Sequence, residues 1–314
     1  MTTEEWPPEL EAAFSSRWNE WLQSELQKQQ GHTTPTAPLY HYTGRDAAEG
    51  ILRNERLWCF SHLHQTDRTE FSYSLGVARE IIKKICRSED WFKKNFAVCL
   101  DDLLENNSFT DIFEFYLFSL SRHRDDAGQW DEYAQSGTGF AIGFAPSLFQ
   151  PDQPKPYDEA NKNIWVARVQ YGNDATGKLH RRAIERAAVI ASECGYANEA
   201  AIRKIKPSVY FPRIAKEVIA SPLIFNCLST KKRKYHNEKE VRYISLNLRA
   251  KYDTARKVHD GRNYIEVELP LRKPGSVTEI LVGPNAPAGT GNTLREFLNS
   301  QGYPESIPIR PSRV

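Results

Sequence analysis

Residues 39–44 read LYHYTG, directly after a linker that ends in Pro38. A strand alternates its side chains, so Leu39, His41 and Thr43 share one face and Tyr40 and Tyr42 the other. A histidine and a threonine on one face can hydrogen-bond the hydroxyls of a ligand. His41 fits equally well as a histidine packed in a core.

Upstream of this strand, Leu10, Phe14, Trp18, Leu22 and Leu26 recur at every fourth position, which predicts a helix over residues 8–30. GHTTPTAP should break it, since glycine and proline both oppose helix continuation. That helix either packs on the main body or mediates self-association. Downstream, DAAEGILRN reads as a short helix capped by Asp46, RLWCFS as a strand, and TDRTEFSYSLGVAREIIKKIC as a long helix. Asp67 with Glu70 has the spacing of an acidic capping box. A helix over 90–105 precedes the apolar strand FEFYLFSLS, the short helix DDAGQWDEYA and the strand GTGFAIGF.

After NIWVARVQY, an alternating strand, residues 175–228 read as mostly helical, and strands return in EVRYISLNL, NYIEVEL and VTEILVG before a last helix over TLREFLNS. Strands and helices mix without regular βαβ alternation, so the expected class is α+β. The expected organisation is an N-terminal helix and linker over 1–38, then one α+β domain over 39–314 with a helical insertion at about 175–228.

The chain carries 42 Lys and Arg against 40 Asp and Glu, a formal net charge of +2 that gives no general reason for a polyanion partner. The five cysteines are scattered, with no zinc-ligand spacing and no disulfide framework. The N-terminal stretch lacks a secretory pattern and no apolar run approaches the roughly 20 residues of a membrane span. A cytoplasmic protein without membrane partners is expected.

Two further segments could carry chemistry. In the first, Trp130 and Tyr133 lie three apart on one helical face, and Gly137 and Gly139 bracket the turn that follows. Such a pair could wall a planar ring, or simply seat the helix on the core. In the second, KYHNEKEVRYISL, a strand beginning near Asn237 would project Glu238, Glu240 and Arg242 to one face. Two carboxylates so close repel unless a cation or polar ligand shares them, and Arg242 could supply it. A solvated edge strand with a surface ion pair is the plain alternative.

Three other signals stay with ordinary explanations. Gly289 and Gly291 precede a helix start, where Thr293 and Glu296 make a capping box. His62, His64 and Asp67 have irregular spacing for a metal. KKRK at 231–234 reads as a solvated face, although it could steer a phosphate-bearing ligand.

The order of these segments, an aromatic-His-Tyr-Thr strand, W130-D-E-Y133-A with G139-F-A-I-G-F144, N237-E-K-E-V-R242 and then ILVGP, resembles the bacterial family of domains of unknown function numbered 2971. The resemblance spans roughly residues 39–285. It departs at FSHLHQTDRTEF, where that family carries Asn-Asp-Pro before a glutamate and this chain has Thr66 and Arg68 around Asp67.

The layout is also similar to the ADP-ribosyltransferase fold, a split, mostly antiparallel sheet around a cleft. That resemblance implies NAD as substrate, with nicotinamide released and ADP-ribose passed to an unknown protein or nucleic-acid acceptor. It implies Glu240 as the charge-stabilising carboxylate and Glu238 as its partner at the acceptor. His41 and Thr43 would meet a ribose, Trp130 and Tyr133 the nicotinamide ring, and Arg242 the carboxylates or a phosphate. A non-catalytic nucleotide- or nucleic-acid-binding module is the alternative.

Overall fold

The computed structural model describes residues 8–33, 36–64, 69–106, 113–149, 164–205, 207–248 and 256–314. In chain order, α1 (Pro8–Thr33) precedes β1 (Leu39–Thr43), α2 (Arg45–Asn54) and β2 (Arg56–Ser61). Next come α3 (Glu70–Ile85), α4 (Trp91–Glu105), β3 (Phe113–Ser121), α5 (Ala127–Tyr133) and β4 (Phe140–Phe144). β5 (Ile164–Arg168) and β6 (Gln170–Tyr171) lead into α6 (Asn173–Ala197), α7 (Glu199–Ile205), α8 (Pro207–Val218), a π-helical turn (Ile219–Leu223) and α9 (Ile224–Leu228). The chain then forms β7 (Thr230–Lys231), β8 (Glu240–Leu248), β9 (Lys257–His259), β10 (Arg262–Glu268), β11 (Val277–Val282), α10 (Thr290–Ser300) and β12 (Ile309–Pro311). The class is α+β, as expected.

These elements sort into two compact units interleaved along the chain, one of residues 1–32, 66–113 and 170–234, the other of 33–65, 114–169 and 235–314. This differs from the expectation of one domain over 39–314 behind a separate helix. The reason is packing. Phe14 and Trp18 of α1 are fully buried, with Phe14 set against Phe96 of α4. Leu10, Phe14 and Trp18 of the α1 stripe are therefore buried inside the helical unit, which is the packing alternative for this part of the helix.

In the helical unit, Asp90 caps α4 by accepting from Lys93 N at 3.0 Å. Gly195 lets α6 close on α4, since a Cβ there would lie 2.2 Å from the Phe92 ring. The N-terminal helix also continues through Gly31 to Thr33, past the expected break.

The second unit is built on an open sheet with the order β12-β11-β4-β1-β3-β2-β10-β9, and β8 pairs with β3 and β5. Within this sheet β1 pairs antiparallel with β3 and β4, β2 with β3 and β10, β9 with β10, β4 with β11 and β5 with β8, whereas β11 and β12 pair in parallel. One apolar cluster joins Leu39, Phe118, Ile142 and Ile280 to Ile51 and Leu52 of α2 and Leu294 and Leu298 of α10. A smaller cluster lies under α5, where Tyr40, Tyr42, Ala141 and Leu281 meet Trp130 and Ala134. The alternation expected of LYHYT is thus observed: its tyrosines go to one face and Leu39 to the other.

Several local expectations change. The α2 cap is Gly44, and Asp46 sits in the first turn. α10 begins at Thr290 behind Gly289, so Thr293 lies inside the helix and forms no capping box. Thr69 precedes α3, and Asp67 lies outside the described residues. No strand begins at Asn237. Arg233–Glu238 form a 3-10 turn, Lys239 takes a positive φ of 46°, and β8 starts at Glu240. Glu238 therefore stands on the turn and not on the strand.

Among the described residues, no helix is long and apolar enough to cross a membrane.

Candidate active site

Glu240 and Arg242 stand two apart on β8, so their side chains leave the same face, while Val241 and Tyr243 enter the larger core cluster on the other. Arg242 donates through Nε to Glu240 Oε1 at 2.8 Å and through a terminal nitrogen to Oε2 at 3.1 Å. Relative exposures of 1 % for Arg242 and 4 % for Glu240 make this a buried ion pair rather than a solvated surface one. Bidentate geometry of this kind is the strong form of an Arg–carboxylate contact.

Glu238 joins the pair from the preceding turn. Its backbone carbonyl accepts from the Ser121 hydroxyl at 2.7 Å, and Lys239 O accepts from Arg122 N at 3.1 Å. The end of β3 thus pins the turn, and the left-handed Lys239 folds the chain so that Glu238 arrives beside Glu240. Tyr133, at the end of α5, donates its hydroxyl to Glu238 Oε1 at 3.2 Å. Burial holds the Tyr133 phenol well above the usual tyrosine range, and Glu238, Glu132 and Glu240 add to the effect. It is a proton donor throughout the physiological range.

The helix that carries Tyr133 is held at both ends. Asp126 caps it by accepting from Gln129 N at 3.0 Å. Trp130 is buried, lies edge-on to Tyr42 with centroids 4.9 Å apart, and donates its indole N–H to Asp125 at 2.6 Å. Trp130 is therefore part of the support under Tyr133. Past the helix, Gln135, Ser136 and Gly137 all take positive φ, and Gly139 and Gly283 are sites of backbone contact. A Cβ on Gly139 would lie 2.2 Å from Thr43 O, and one on Gly283 would lie 2.2 Å from Gly137 O. The glycines of GTGF and ILVGP serve this close approach.

His41 lies elsewhere. Its Nδ1 is 3.0 Å from Ser119 O and its ring 4.3 Å from Phe118, on the opposite face of β1 from the tyrosines that pack with α5. Burial pushes its pKa down to about 4, against a smaller upward push from the Ser119 bond. Thr43, at the end of β1, is buried beside Gly139. The structure thus brings together Glu238, Glu240, Arg242 and Tyr133, with Trp130 behind them, and its contacts for His41 and Thr43 are to other groups.

Sequence reasoning missed two polar clusters. In one, Arg124 binds Glu279 through two bonds of 2.7 Å, with the Tyr40 hydroxyl at 2.8 Å. Gly143 admits the Tyr40 ring, which would lie 2.9 Å from a Cβ at that position. The other is in the helical unit, where Ser74, His180 and Thr230 form a buried chain. Neither has a local spacing that could announce it. Of KKRK, Lys231 lies 3.7 Å from Glu70 and Lys232 donates to the Thr69 hydroxyl at 2.6 Å, both within their own unit.

No curated protein and no solved structure matches the chain. Residues 129–243 match the model of a family described as "Protein of unknown function (DUF2971)". This is a narrower span than 39–285, and it leaves out LYHYTG and ILVGP. It runs from one residue before Trp130 to one residue past Arg242, and so takes in Tyr133, Glu238, Glu240 and Arg242: over that stretch the chain is similar to the DUF2971 family.

Proposed function

We propose that this protein cleaves the glycosidic bond between nicotinamide and ribose in NAD, passing ADP-ribose to a macromolecular acceptor or to water. The observation that carries the proposal is the buried junction of Tyr133, Glu238, Glu240 and Arg242, in which a bidentate guanidinium holds one carboxylate and a tyrosine hydroxyl binds the other.

As the bond breaks, its electron pair leaves with the nicotinamide nitrogen and the ribose gains oxocarbenium character. A carboxylate fixed beside that centre stabilises the charge without reorganising, as in glycosidases. Glu240 fills that role, since Arg242 fixes its orientation. Glu238 takes the proton that the acceptor loses when it attacks the ribose carbon. Tyr133 orients Glu238 and offers its ring edge to the nicotinamide. The resemblance stated above would also put His41, Thr43 and Trp130 at ribose and ring. Trp130, however, is buried with its indole on Asp125 and His41 packs on Phe118, so the proposal rests on Tyr133, Glu238, Glu240 and Arg242.

The test is nicotinamide release from NAD by the purified protein, with and without cell lysate as an acceptor source, beside Glu240→Gln and Glu238→Gln. Release that falls on the order of a hundredfold in a folded Glu240→Gln supports the proposal. NAD binding with no release from the wild type favours the non-catalytic binding module, in which Glu240 and Arg242 are a structural pair.

A further inference from the structure

Among the buried polar atoms of the helical unit that find no hydrogen-bond partner among the described residues are Thr176 Oγ1 and His180 Nδ1. Both residues are 0 % exposed. They stand four apart on α6, so they share one face of the helix with Cβ atoms about 5–6 Å apart.

The protons of the neighbouring groups can be ordered. The Thr230 hydroxyl is 2.9 Å from Asn226 O, which can only accept, so Thr230 gives its proton there. Thr230 Oγ1 must then accept from Ser74, 2.7 Å away. Ser74 in turn accepts from His180 Nε2, at 2.9 Å. His180 is therefore the tautomer with its proton on Nε2, and Nδ1 is a bare lone pair that needs a donor. Thr176 has a hydroxyl proton that needs an acceptor.

We propose that the helical unit encloses a structural water that accepts from Thr176 Oγ1, donates to His180 Nδ1, and so completes a chain from Thr176 through His180 and Ser74 to Thr230. A buried water with two such partners removes the desolvation cost that both atoms otherwise carry. The spacing resembles a serine–histidine dyad, yet full burial and the lack of a carboxylate on Nδ1 among the described residues fit a structural chain instead. Burial favours neutral His180, as the water requires, and pushes its pKa down to about 4.

A crystal structure at high resolution tests this directly, since a density peak within hydrogen-bond distance of both atoms is expected and an empty site overturns the proposal. The stability of T176V and T176S gives an independent sign. With the water present, T176V lowers the unfolding midpoint and T176S keeps it near wild type. If the hydroxyl were an orphan in an empty space, T176V would raise the midpoint and the proposal would fail. Nitrogen-15 NMR of His180 decides the case even where T176V does not fold: a proton on Nε2 supports the chain, and a proton on Nδ1 overturns it.

Discussion

Arg242 grips both oxygens of Glu240 from two positions along the same strand, at 2.8 and 3.1 Å, in a part of the sheet where neither residue reaches solvent. Taking two charges out of water is costly, and the pair recovers that cost through geometry. Removing one partner is therefore expected to hurt far more than removing both. R242M should destabilise the protein by about 3–5 kcal/mol, whereas R242M combined with E240L should recover much of the loss. Urea midpoints of the single and double variants check this. Equal midpoints for R242M and wild type would show that the pair contributes nothing to the fold.

The turn beyond Tyr133 depends on glycines for a different reason. At Gly139 and Gly283 an added Cβ would meet a backbone oxygen at 2.2 Å, and backbone cannot rotate aside as a side chain can. G139A and G283A should each cost about 1–3 kcal/mol or more, the range of overpacked cores. Gly50, inside α2, has nothing within 4 Å of its Cβ position. G50A is expected to stabilise by about 0.4–1 kcal/mol, because it restricts the unfolded chain without strain. Thermal melts of the three variants should move in opposite directions.

What could be read in advance follows from the range of the interactions. Strands such as LYHYT and FAIGF announce themselves through local alternation, and α1 through its four-residue repeat. The partnership of Glu240 with Arg242 was legible because both residues lie on one strand. The place of Glu238 on the turn is illegible in the sequence, because nothing local signals the left-handed Lys239 that follows the 3-10 turn. The division into two units was illegible for the same reason: α1, α3, α4 and α6 meet only in space, through contacts such as Phe14 with Phe96. The Ser74–His180 bond, between residues 106 positions apart, belongs to that class as well.

Asp125 links the C-terminal residues to the helix that carries Tyr133. Its carboxylate accepts from the Trp130 indole at 2.6 Å, from the Ser312 hydroxyl at 2.8 Å and from Arg313 N at 2.8 Å. Burial raises its pKa, but these donors outweigh it and hold the group below the usual aspartate range. D125A leaves a buried indole donor unsatisfied and should cost about 1–3 kcal/mol. D125N keeps one acceptor oxygen and should fall between D125A and wild type. Hydrogen exchange across residues 127–137 should speed up in the same order. Unchanged exchange in D125A would mean that α5 is held by its apolar contacts alone.

Acid should loosen the helical unit through His180. Burial lowers its pKa from the ordinary 6.5 to about 4, so the unfolded chain binds a proton more readily than the folded one. The sign follows: His180's share of stability is intact above pH 6.5 and is lost as the pH falls from there towards 4, amounting to about 3 kcal/mol over the whole interval. His41 shifts in the same direction for the same first cause, burial, and so adds to the slope from the sheet unit. H180Q retains a side-chain donor for Ser74 but cannot titrate. Urea midpoints measured from pH 7.5 down to 4.5, in acid steps of about half a unit, should fall less steeply for H180Q than for wild type. Parallel slopes would mean that the folded His180 takes up its proton as easily as the unfolded one, against a site closed to solvent on every side.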